Sequence, residues 1–128
     1  MGSRPMFLGM KDHRSLEAWK EARAVSLAVI ETAREHWKPW ASAVFAQLLR
    51  ASLSVQLNIA EGSTFSQSPT YARHLGIAYG SAVETGELIE LASEADIVPA
   101  DVADDLLERS RRCQRLLVGL LKRHRPMH

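Results

Sequence analysis

The sequence predicts an all-α protein, an antiparallel up-and-down four-helix bundle. Three observations carry that prediction. Proline and glycine cut the 128-residue chain into four long segments, within each of which apolar residues recur at three- and four-residue spacing. The connections between the segments are short, which forces consecutive helices to run antiparallel. No stretch alternates apolar and polar residues as a strand would.

Hydrophobic residues make up 46% of the chain and charged ones 24%, the profile of an ordinary globular domain. The net charge is only +1, so any contact with nucleic acid depends on local segregation of charge and not on an overall field. The bundle is expected over residues 15–122, after a flexible segment 1–14 and before a basic tail 123–128. The first helix runs from a capping Ser15 to His36, with Leu16, Trp19, Ala22, Leu27, Ile30 and Ala33 on its apolar side. Pro39 ends it, because the residue before a proline is pushed out of the helical region. The second begins near Trp40 and closes at Gly62, read as a left-handed C-terminal cap. Ser68 followed by Pro69 starts the third, which extends to about Asp96. The fourth opens at Pro99 and reaches about Lys122.

Leu48, Ala51, Val55, Asn58 and Gly62 lie on one stripe of the second helix. An amide among apolar residues must find a hydrogen-bond partner. Folding the second and third segments about Phe65 brings Asn58 near Arg73 or His74, Glu61 near Arg73, and Arg50 near Ser81 or Glu84. In the middle of the third helix Ala78, Gly80, Ser81, Ala82 and Gly86 are all small. Interior glycines each cost about 1 kcal/mol of helix stability, so they imply a close approach by another helix, from this chain or a second one. The third helix also has two usable faces, one through Tyr71, Leu75, Ala78, Ala82 and Ile89, the other through Ile77, Ser81, Glu84, Leu88, Leu91 and Ala95. Two such faces point to self-association.

Three segments together resemble the small four-helix-bundle proteins encoded in intervening sequences of bacterial 23S rRNA genes. They are LEAWKEARAVSLAVI at 16–30, QLLRASLSVQLNIAEG at 47–62 and YARHLGIAYGSAVETGELIELA at 71–92. The resemblance implies an antiparallel bundle assembled as a barrel-like homopentamer. It also implies a distant relation to the nucleic-acid-binding accessory proteins of diversity-generating retroelements. It marks Arg50, Asn58, Glu61, Gly62, Gly80, Ser81, Glu84 and Glu87 as family positions. The chain departs from the family after the Glu-Gly pair, where Ser63, Thr64, Phe65 and Ser66 stand in place of a frequent basic residue.

The polar set Arg50, Asn58, Glu61, Glu84 and Glu87 lacks the paired Glu-x-x-His motifs of a carboxylate di-metal bundle. It also lacks a nucleophile beside an orienting base. It reads as a register device, with Arg50 pairing Glu84 or a neighbouring subunit. On the fourth helix Arg111, Arg112, Arg115 and Lys122, followed by Arg123 and Arg125, form a candidate nucleic-acid contact surface. The acidic start at Asp101, Asp104 and Asp105 makes the same pattern fit the helix dipole. Trp19 reads as core, while Trp37 and Trp40 read as a clamp around Pro39. The histidines have no ligand spacing, so neither metal nor cofactor is expected.

The single cysteine, Cys113, reads as a small buried hydrophobe in a reducing, cytoplasmic setting. No apolar run reaches the ~20 residues of a membrane span, and the first residues carry neither a secretory core nor a myristoylation pattern. The expected partners are further copies of the chain, as a closed ring, and RNA or DNA. The activity expected is a non-enzymatic scaffold; the alternative is a protein-interaction module that binds no nucleic acid.

Overall fold

The computed structural model of the protein describes residues 13, 16–65 and 69–124, and every regular element among them is helical. Helix α1 spans Glu17–His36, a 3-10 turn spans Pro39–Ala41, and α2 spans Ser42–Ser63, α3 Pro69–Glu94 and α4 Ala100–His124. Each helix packs on two others, α1 and α3 both lying between α2 and α4, so the four form a square up-and-down bundle. The Ser15 and Ser68 caps, the segment 1–12 and Arg125 lie outside the described residues.

Local chemistry sets the ends. The Trp37 amide closes α1 on the Ala33 carbonyl at 3.0 Å, and Lys38 is extended (φ −139°, ψ 146°) as a residue before proline must be. The chain then makes a 3-10 turn before α2, so α2 starts two residues later than Trp40. Gly62 is not a left-handed cap. It lies inside α2, which runs on to Ser63, and among non-glycine residues described only Asp96 has positive φ, at 58°. Asp96 ends α3: its amide reaches the Ser93 carbonyl at 3.1 Å and the Ile97 amide reaches Ala92 at 2.8 Å. This is the paired bonding of a Schellman cap, with buried Ile97 against buried Ala92. The fourth helix continues through Arg123 to His124, two residues into the segment read as a tail.

The core divides into two apolar clusters. One, towards the α2–α3 loop, centres on Ile59, Leu75, Ala78, Leu117 and Leu120. The other, towards the opposite end, centres on Val29, Phe45, Leu48, Ile89 and Leu106. Each fully buried side chain of this size stabilises by about 2 kcal/mol. Between the clusters lies a waist of buried hydroxyls, each bonded to a backbone carbonyl: Ser26 to Ser52, Ser52 to Leu49, Thr85 to Ser81, Ser110 to Ala82. A cavity of about 10 Å³ sits there, lined by Ser52, Thr85, Ser110 and Cys113 among others. At the same level Gly86 lets α4 close in, since an added Cβ would meet Gln114 Nε2 at 3.3 Å. This is one of the close approaches that the glycines imply.

Candidate functional site

The family positions separate into an inward seam and an outward face. The seam runs between α2 and α3. Asn58 Nδ2 donates to the Ser54 carbonyl at 2.9 Å and to Ser54 Oγ at 3.2 Å. With both amide hydrogens directed at Ser54, Asn58 Oδ1 is the acceptor for His74 Nδ1 at 2.9 Å. The bond assigns the ring's hydrogen to Nδ1. Ser54 Oγ also meets Ser81 Oγ at 2.7 Å. The chain Ser81–Ser54–Asn58–His74 therefore ties the two helices at two heights. Asn58 is half-buried, not fully buried as its stripe suggests; of the two partners expected, His74 is the one it takes.

Glu61 does not reach Arg73. Its Oε1 lies 3.7 Å from His74 Nδ1, on a side chain 69% exposed. Phe65 stacks on the His74 ring with centroids 5.8 Å apart and planes within 7°. Gly62 lies beneath: a Cβ there would stand 2.6 Å from His74 Cβ. In the seam Ser54 bonds Ser81 and Asn58 and not the imidazole, so the contacts of these residues tie α2 to α3. Sequence reasoning missed Ser54; its position four residues before Asn58 on one helix face is the signal that could have found it.

Arg50, Gly80, Glu84 and Glu87 all face outward. Arg50 bonds Gln47 in its own helix and does not pair with Glu84. The register puts the two level but on separate outer surfaces, where long exposed side chains gain little from pairing. Among the described residues Arg73, Glu84 and Glu87 make no hydrogen bond or ion pair. Nothing comes within 4 Å of a Cβ added at Gly76 or Gly80, so the chain itself supplies no helix close to them. Around them Leu57 is 60% exposed, Ile77 43% and Leu53 38%.

The candidate basic surface of α4 is also divided. Arg111 reaches Glu90 of α3 at 4.0 Å and Arg112 reaches Glu21 of α1 at 3.5 Å, so these two brace α4 to its neighbours. Arg115, Lys122 and Arg123 are exposed. Other helices add cations at this same end of the bundle: Lys20, Arg23 above the Trp19 ring at 6.0 Å, and Arg73. That grouping is invisible along the chain because three helices contribute to it. Tyr71 lies here, its ring 4.7 Å from that of His124. Burial raises the Tyr71 hydroxyl above its ordinary pKa, and Arg123 partly offsets this. At the opposite end Trp37 and Trp40 are 53% and 66% exposed. Lys38 ties the turn, donating to the carbonyls of His36 at 2.9 Å and Ile97 at 3.2 Å. Trp19 is half-buried against the core. Among the described residues no three or more His, Cys, Asp or Glu side chains gather where they could hold a metal ion. No described helix is long and apolar enough to cross a membrane.

Residues 14–119 match the family model described as 23S rRNA-intervening sequence protein. The chain belongs to that family. Among solved structures, this intervening-sequence protein is similar to a protein of unknown function from the S23 ribosomal protein family of Bacteroides thetaiotaomicron. The two are 20% identical with a TM-score of 0.73, over 82% of this chain and 98% of the other. At that identity the likeness shows the fold alone. No curated protein matches the chain. For this intervening-sequence protein, then, the family is fixed by sequence and the bundle by structure, while its biochemistry has to be argued from its surfaces.

Proposed function

We propose that this protein is a non-enzymatic, cytoplasmic scaffold that assembles into a closed homo-oligomer and holds the phosphate backbone of structured RNA against one rim. The observation that carries the reading is the gathering of Arg23, Arg115, Lys122 and Arg123 at one end of the bundle. Repetition of that end around a ring, five-fold if the family resemblance holds for assembly, multiplies a modest patch into a track of cations. The half-buried seam supports a non-enzymatic role, since its polar atoms are engaged in holding helices. No cofactor is required.

The test is binding of the mass-defined protein to a structured RNA and to a DNA duplex across a salt series. Affinity should fall steeply with salt, because each phosphate neutralised releases counterions. The triple variant Arg115→Ser, Lys122→Ser, Arg123→Ser should lose most of that affinity with its mass unchanged. A second reading, a protein-interaction module that binds no nucleic acid, is favoured by the exposed Trp37 and Trp40 at the other end. Absence of RNA and DNA binding even at low salt would select it.

A further inference from the structure

The outer stripes of α2 and α3 complement each other level by level. The Ser54–Ser81 and Asn58–His74 bonds fix the heights of the two helices. Within about a turn, Arg50 then stands level with Glu84, Leu57 with Ile77, and Glu61 with Arg73. Leu53 stands level with Gly80, above which there is open space. Every one of these side chains points away from the core, and each charge on α2 has its opposite on α3 at the same height. In a cyclic assembly whose axis runs along the bundle, neighbouring copies stand at equal height.

We propose that copies of this chain meet with the outer face of α2 against the outer face of α3 of the next. Arg50 there pairs with Glu84 across the interface, and Leu53 fills the space above Gly80. This rests on the oligomeric reading above and adds the face, the register and the pairing. The apolar centre of Leu53, Leu57 and Ile77 is 38%, 60% and 43% exposed in the single chain, and the opposite charges close it at both ends, the layout of an interface core within a polar rim. Glycine at position 80 acquires a reason: it admits a leucine from a second helix. Arg50, Glu84 and Arg73, which make no cross-helix bridge within the chain, find partners in the next.

Sedimentation equilibrium of the full chain tests this, with helix content and melting temperature recorded for each variant. Arg50→Glu and Glu84→Arg each place like charges opposite one another and should raise the subunit dissociation constant about tenfold or more. The double variant Arg50→Glu, Glu84→Arg should restore the wild-type mass. Gly80→Trp, whose Cβ meets nothing within 4 Å in the single chain, should fold normally and sediment as a monomer. A wild-type chain that is itself monomeric overturns both the oligomeric reading and this interface. An oligomer that persists in all these variants overturns the interface alone. Dissociation by the single variants without rescue by the double overturns the Arg50–Glu84 pairing.

Discussion

Asn58 holds three hydrogen bonds, two from its amide hydrogens to Ser54 and one at its oxygen from His74. Asn58→Leu leaves the His74 nitrogen without its acceptor at a half-buried site, so the bundle should lose about 1–3 kcal/mol in urea unfolding. Asp96 occupies the left-handed region at φ 58°, a conformation that costs any residue with a Cβ. Asp96→Gly relieves that cost, and the melting temperature should rise by the equivalent of about 0.5–1 kcal/mol. Cys113 is buried with its Sγ 3.7 Å from the Ala18 carbonyl, and burial together with nearby Glu21 pushes its thiol up to about 12. The folded state therefore keeps the proton that the unfolded chain gives up at lower pH. Stability from this group is whole below the unfolded pKa and declines as pH rises towards the folded one. Between pH 8 and 10 the wild type should lose about 1 kcal/mol more than Cys113→Ala does, measured by denaturant unfolding at each pH.

At the scale of the helix the glycines behave oppositely according to what faces them. Gly62 lies against α3, where a Cβ would stand 2.6 Å from His74 Cβ and 3.2 Å from the Tyr71 ring. The first of those atoms is fixed to the backbone and has no rotamer to escape into. Gly62→Ala should thus destabilise by about 1–3 kcal/mol, seen as a lower urea midpoint. Gly76→Ala meets nothing and should gain up to about 1 kcal/mol of helix propensity by the same measurement. The elements themselves are legible in the sequence because Pro39, Pro69 and Pro99 punctuate strongly. The reading of Gly62 as a cap fails because a glycine near a helix end has two uses, a left-handed turn or a close contact. Only the facing helix decides between them.

For the whole molecule, the waist of Ser26, Ser52, Thr85 and Ser110 separates two apolar clusters, and the cavity there is about 10 Å³. Its hydroxyls are already bonded to carbonyls. The ends differ in chemistry: cations from α1, α3 and α4 at one, exposed indoles and the acidic start of α4 at the other. Of the arginines singled out along α4, Arg111 and Arg112 turn out to bridge helices through Glu90 and Glu21. Substituting those two should lower stability slightly, by roughly 0.2–1 kcal/mol each.

By itself the sequence determined that this chain is four helices joined by short turns, because periodicity and proline are local signals and short loops leave one topology. It also placed Asn58 and His74 within a turn of each other, since loop length sets the register of a hairpin. What only the tertiary structure decided is direction. Arg50 and Glu84 share a level but point outward, Gly62 is packed and Gly80 is open, and cations from three helices gather at one end. The reason is physical: spacing along a helix fixes which residues share a face, but the partner that covers a face comes from elsewhere in the chain, or from another copy of it.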